Sequence, residues 1–142
     1  MKVRDAMAHT VSSVRPDDQI GAAAEAMKRE GAGFVPVVEG DTLVGVLTDR
    51  DIVLRCVVDA PDGHDPREMR VGDVMSLDPS TVGPDAELDE AARLMSNDEI
   101  RRLPVVDGGR HLLGVLSHGN LVQATSGSGA GTAATVGVTR GA

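Results

Sequence analysis

Apolar residues fall along this chain in two rhythms. Ile20, Ala24 and Met27, and again Leu88, Ala92 and Met95, recur at helical spacing. FVPVV at 34–38 and LPVV at 103–106 are continuous apolar runs and predict buried strands. Turn residues follow each run, Glu39-Gly40-Asp41 and Asp107-Gly108-Gly109. LVGVL at 43–47 and LLGVL at 112–116 come next, so each half predicts a hairpin. Short stretches bearing valine, 11–14 and 81–82, stand before Pro-Asp pairs and predict an opening strand. Asp17 or Asp18, and Asp85, are placed to cap the helices that follow, because a carboxylate accepts the free N–H groups of a first turn. Gly31 and Gly33 end the first of these helices, and its counterpart ends near Asn97-Asp98. Closing helices start near Asp49 and near His118. Each half therefore reads strand–helix–strand–strand–helix.

The two halves are copies of one unit. An offset of 68 residues carries VRDAM at 3–7 onto VGDVM at 71–75. The same offset pairs Val14 with Val82, Pro16 with Pro84, Met27 with Met95 and Pro36 with Pro104. One extra residue enters near His111, after which Gly45-Val46-Leu47-Thr48 faces Gly114-Val115-Leu116-Ser117. The expected organisation is a first repeat over 1–60, a polar connector at 61–70, a second repeat over 71–124 and a tail at 125–142. The tail is almost wholly Gly, Ser, Thr and Ala. Such a segment buries too little apolar surface to offset its ordering entropy, so disorder is expected there.

Composition narrows the function classes. Of 142 residues 41% are hydrophobic, yet there is no Trp, no Tyr and one Phe, so the core is aliphatic. The net charge of −8 and the missing rings argue against nucleic-acid binding, which needs basic grooves and stacking platforms. No apolar run is long enough to span a membrane, and MKVRDAMAHT has no apolar leader, so a cytoplasmic location is expected. The single Cys56 excludes an internal disulfide and lies in the apolar stretch IVLRCVV, where a buried, inert thiol is expected. His9, His64, His111 and His118 stand at no metal-ligand spacing, and no phosphate-binding glycine loop occurs. No nucleophile is assembled with a base and an oxyanion donor, so no catalytic residue, metal or required cofactor is assigned.

The sharpest chemical signal is Thr48-Asp49-Arg50-Asp51 at the end of a strand, with its echo Ser117-His118-Gly119-Asn120. A hydroxyl at a helix start adds a donor to the free N–H groups and positive dipole end that favour an anion. Asp51, three residues on, has two carboxylate oxygens, which suits a vicinal diol such as the ribose hydroxyls. The same residues also form a plain capping box with no ligand, so both readings stand.

These segments together resemble a tandem pair of cystathionine-β-synthase (CBS) domains, the arrangement called a Bateman module. The resemblance covers about residues 1–124. It rests on the Val-x-x-x-Met openings, Val-x-Pro-Asp, Leu-Pro-Val-Val and the repeated Gly-Val-Leu-(Thr/Ser)-x-x-(Asp/Asn). It implies an α/β (α+β) fold of two β-α-β-β-α motifs about a pseudo-twofold axis, with two clefts. In that family the clefts bind AMP, ADP, ATP or S-adenosylmethionine and regulate an attached or partner protein without catalysis.

By position, the resemblance gives Thr48 and Ser117 to the phosphate and Asp51 to the ribose. Asn120 departs from the acid, having one acceptor oxygen and no charge. Val11 and Pro79 would line the adenine. Phe34, Ile100, Arg101 and Arg102 fall in the segments that touch base or phosphate. An Arg fork holds phosphate oxygens well, and only the second repeat supplies one; the alternative is a solvated pair beside Asp98 and Glu99. Phe34 is either a stacking ring or a core residue. The resemblance further implies a homodimer joined through apolar helix faces, notably 49–58, and an effector protein as partner. The competing reading is a ligand-free scaffold whose clefts are degenerate and whose Thr48, Asp51 and Ser117 are caps only.

Overall fold

The two predicted hairpins are present in the computed structural model, which describes residues 1–126. Strand β1 (Phe34–Glu39) pairs antiparallel with β2 (Thr42–Thr48), from Phe34 opposite Thr48 to Glu39 opposite Thr42. Strand β3 (Arg102–Val106) pairs in the same way with β4 (Leu112–Ser117). Left-handed Gly40 turns the first hairpin and left-handed Arg110 the second. The extra residue of the second repeat is absorbed in that turn. There the Asp107 carboxylate accepts the N–H groups of Gly109 and His111, both at 2.9 Å.

Among the described residues the α-helices in chain order are α1 (Val3–Ala6), α2 (Ile20–Glu30), α3 (Asp49–Asp51), α4 (Val71–Val74), α5 (Leu88–Asp98) and α6 (His118–Ser126). α3 runs on into a π-wound segment, Ile52–Val58, closed by Asp59 N–H donating to the Leu54 carbonyl. The one-turn helices α1 and α4, and a short 3-10 turn at Pro66–Glu68 inside the connector, were not signalled by the apolar rhythm. α6 reaches Ser126, two residues into the segment expected to be a tail. The rest of that expectation, 127–142, lies outside the described residues.

The compact units do not follow the repeat boundaries. One consists of Ser12–Pro79; the other joins Met1–Val11 to the described residues from Ser80 to Ser126. Within the first, Ser76 and Val46 exchange backbone hydrogen bonds of 2.8 and 3.0 Å along the outer edge of β2. Within the second, Ala8 and Val115 do the same at 2.9 and 3.0 Å along β4. The glycines of the two Gly-Val-Leu segments make these approaches possible. A Cβ on Gly45 would lie 2.8 Å from the Ser76 carbonyl oxygen, and one on Gly114 2.3 Å from that of Ala8. So the opening stretch of each repeat docks on the hairpin of the other. Val71 and Val74 on α4 are buried beside Val35, Val37 and Leu47. Val3 on α1 is buried beside Leu103, Val105 and Leu116. Each such side chain is worth about 1.5–3 kcal/mol, enough to tie down one turn of helix that could not stand alone.

Three local expectations are corrected. The opening strands at 11–14 and 81–82 shrink to single bridge residues, Val14 beside Val37 and Val82 beside Val105, both parallel. Their partner strands carry Pro36 and Pro104, which accept from Val14 and Val82 but have no N–H to extend the ladder. Asp17, Asp18 and Asp85 do not cap helices. α2 and α5 begin after Gln19 and Glu87 with no side-chain cap, and the first N–H groups go to backbone carbonyls instead, Ile20 to Met69 and Leu88 to Met1. Asp18 accepts from the Arg15 N–H at 2.9 Å, and Asp85 pairs with Arg4. Finally, the buried stripe of α2 is Ile20, Ala23, Ala26 and Met27; Ala24 is exposed.

Candidate functional site

Thr48 ends β2 and Asp51 ends the first turn of α3, and the two bind each other. Asp51 N–H donates to Thr48 Oγ1 at 3.1 Å, and Thr48 N–H donates to Asp51 Oδ2 at 3.0 Å. The capping box is therefore real. Asp51 has further partners beyond the box. Ser76 Oγ donates to its two oxygens at 3.3 and 3.4 Å. Arg55, one turn along, brings Nη1 to 3.6 Å from Oδ1 and donates to the carbonyls of Val74 at 2.7 Å and Met75 at 3.2 Å. Asp51 is the charged residue buried in the core among the described residues, at 9% exposure. A buried carboxylate is tolerated only with a counter-charge and hydrogen bonds, and here it has both.

The same turn in the other unit is neutral. Ser117 N–H donates to Asn120 Oδ1 at 2.9 Å, and Asn120 N–H donates to Ser117 Oγ at 3.0 Å. The next N–H, that of His118, goes to the Arg101 carbonyl at 2.7 Å; its counterpart, Asp49 N–H, goes to the Gly33 carbonyl at 3.0 Å. The residue before each first strand is thus tied to the start of the closing helix. This brings Ile100, Arg101 and Arg102 into the same neighbourhood as Ser117 and Asn120. Arg102 stands opposite Ser117 in the register, as Phe34 stands opposite Thr48.

Side-chain surroundings divide the remaining candidates. Arg101 is exposed, and with Ile100 it lines a groove of about 450 Å³ between α5 and α6 floored by Leu88, Met95 and Leu121. Arg102 is half-buried on β3. Asp98 accepts a hydrogen bond from Ser80, at 2.6 Å. Phe34 is half-buried and lies outside the core cluster of its unit. Val11 and Pro79 are half-buried at the last position of their segments, one in each unit. Thus Phe34, Thr48, Asp51 and Pro79 share one unit; Val11, Ile100, Arg101, Arg102, Ser117 and Asn120 share the other. Ser76 and Arg55 are the polar residues that sequence reasoning passed over. The Asp51–Arg55 spacing of four on a helical segment was the available signal for the second; Ser76, distant in sequence, gave none.

Cys56 is fully buried in the core of its unit. Burial, reinforced by the nearby Asp51 carboxylate, pushes its thiol above the ordinary range, which makes it a poor nucleophile. No group of three His, Cys, Asp or Glu side chains is placed to hold a metal among the described residues, and none of their helices is long and apolar enough to cross a membrane.

The pattern of the CBS domain matches this sequence twice, at residues 3–57 and 71–127. The chain belongs to the CBS domain family. CBS domain-containing protein YhcV of Bacillus subtilis is 41% identical over 134 residues, covering 94% of this chain and 92% of that protein. A solved structure of CBSX2 in complex with AMP is 32% identical, with a TM-score of 0.78, covering 90% of this chain and 98% of that one. Inosine-5′-monophosphate dehydrogenase of Korarchaeum cryptofilum is 35% identical over 107 residues, which is 75% of this chain but 21% of the enzyme. The CBS pair explains the duplicated hairpins and the mixed α/β character. The likeness to the dehydrogenase touches only a fifth of it.

Proposed function

We propose that this CBS pair is a non-catalytic regulatory module that binds an adenine nucleotide and passes its occupancy to a partner. One observation carries the reading: both units present a hydroxyl-led box at a strand-to-helix turn, in a chain about one-third identical to a CBS protein solved with AMP. The Thr48 or Ser117 hydroxyl and the positive dipole end of each turn serve a phosphate, and Asp51 serves the ribose. Arg101 and Arg102 add cations where the other unit has Gly33 and Phe34. AMP, ADP, ATP and S-adenosylmethionine are the candidates. The mechanism is linkage: a ligand that prefers one arrangement shifts the population a partner reads.

The partner includes a second copy of the chain. Val53, Leu54, Val57 and Val58 stand 39–66% exposed on the π-wound segment, an apolar face that a homodimer would cover. A dimer mass in light scattering, reduced to the monomer by Val57→Asp with Val58→Asp, is the expected result.

A dye-based thermal melt with each ligand in excess tests the main reading, since the chain has no Trp or Tyr for intrinsic fluorescence. At 100 times its Kd a ligand adds about 2.7 kcal/mol. Asp51→Ala is expected to weaken binding by about 1–3 kcal/mol. Unchanged affinity would remove Asp51 from the site. One observation favours the scaffold reading: the polar groups of both boxes are already satisfied within their own units. No shift with any ligand at millimolar concentration would make that the function.

A further inference from the structure

Asp51 does not stand alone, and what holds it is present in one unit only. Its counter-charge, Arg55, is itself anchored. Nη1 donates to the Val74 and Met75 carbonyls at the end of α4 and lies 3.4 Å from Ser76 Oγ. Those carbonyls are the orphan acceptors of a one-turn helix, which a guanidinium satisfies well. The same Nη1 that these carbonyls fix lies 3.6 Å from Asp51 Oδ1, so the backbone of α4 holds the charge beside the carboxylate. The repeat offset puts Asn120, Ala124 and Ala8 at the positions of Asp51, Arg55 and Ser76. The whole charged cluster is missing from the second copy of the turn.

We propose that Arg55 is a positioning residue for ribose recognition in the 12–79 unit. It orients the buried Asp51 carboxylate, and it makes that unit the one that distinguishes ribose from 2′-deoxyribose. The inference rests on the nucleotide-binding reading above. The division of labour within the cluster follows from the distances. The Ser76 contacts to Asp51, at 3.3 and 3.4 Å, are long for a hydroxyl donor and are the ones a ligand hydroxyl replaces. Arg55 stays, because its 2.7 Å bond to the Val74 carbonyl does not involve the ligand's site. A neutral amide at Asn120 accepts on one oxygen only and without charge assistance, so it discriminates weakly.

Isothermal titration of the full chain with AMP and with 2′-deoxyadenosine 5′-monophosphate tests this. The wild type is expected to prefer AMP by about tenfold or more, the effect of one charged hydrogen bond. Arg55→Gln is expected to bring the two affinities within about twofold, while Arg55→Lys, which keeps the charge, restores part of the preference. Ser76→Ala is expected to leave the preference intact. If Arg55→Gln lowers the melting temperature but keeps the wild-type preference, Arg55 is only a structural tie and the inference fails. If Arg55→Gln does not fold, Arg55→Lys and Ser76→Ala decide. Loss of the preference in Ser76→Ala, or its full retention in an Arg55→Lys protein that no longer pairs with Asp51, overturns the assignment. A wild type that binds both nucleotides equally overturns the inference and leaves the nucleotide reading standing. A wild type that binds neither ends both.

Discussion

Gly114→Ala is the substitution on which the docking of residues 1–11 on β4 can be judged. The added Cβ would lie 2.3 Å from the Ala8 carbonyl oxygen, 0.7 Å inside the 3.0 Å that real Cβ atoms respect. The obstacle is backbone, so it cannot swing aside as a side chain would. Moving residue 8 away by that amount stretches its 2.9 and 3.0 Å bonds to Val115 past the range of a hydrogen bond. Two backbone bonds at about 0.5–1.5 kcal/mol each, with about 1 kcal/mol or more of overpacking, give a loss near 3 kcal/mol. For a domain of this size that lowers Tm by about 10 °C. Circular dichroism melts read the shift, and hydrogen exchange at the Ala8 and Val115 amides locates it. Gly108→Ala is the control, because nothing lies within 4 Å of its Cβ; it is expected to change stability by less than about 0.5 kcal/mol. A Gly114→Ala protein that melts within about 2 °C of wild type, or that keeps both amides protected, would show that residues 1–11 do not dock on β4 as described.

Three further outcomes are expected. Glu99 ends α5 in the left-handed region at φ 55°, where Gly31 stands in the first repeat; Glu99→Gly should raise stability by about 1 kcal/mol, and a lower Tm would contradict the strain argument. Cys56 should react with a disulfide reagent at pH 7 only as fast as its unit opens, and a rate equal to that of a free thiol would refute its burial. The Asp107 carboxylate is held below its ordinary 3.8, first by the His111 N–H and then by the His111 ring and the Gly109 N–H. Its share of turn stability is therefore present above pH 4 and lost as pH falls through the depressed value; an amide titration of Gly109 and His111 with a midpoint at or above 3.8 would contradict this.

The sequence read well where periodicity and repetition carry information. The two hairpins and both long helices lay in apolar runs or at helical spacing, the starts of both closing helices followed a hydroxyl-led turn, and a second copy repeated each. What escaped depends on partners distant in the chain. Asp18 and Asp85 look like caps locally, but the carbonyls of Met69 and Met1 reach the helix starts first. α1 and α4 are too short to show a rhythm and exist because Val3 and Val71 find a core elsewhere in the chain. In the candidate site, the Thr48–Asp51 pair was legible as a motif of adjacent positions. Ser76 was not, since its place beside Asp51 is set by the Val46–Ser76 bridge rather than by spacing.

The exchange of opening segments also sets an order of assembly during synthesis. All of Ser12–Pro79 is translated before β3 and β4, so that unit can close on a single continuous stretch of chain. The other must keep Met1–Val11 available until Val115 emerges to receive Ala8, and that closure spans most of the protein. Long loops close slowly because their entropy is lost before any contact rewards it. A chain that ends near residue 80 therefore holds every residue of one unit and a stranded N-terminal strip whose Val3 and Met7 lack the β3 and β4 residues that bury them. Truncation at the connector would leave the same strip bare permanently, which is why neither repeat, cut out by its sequence boundaries, is a self-sufficient fragment.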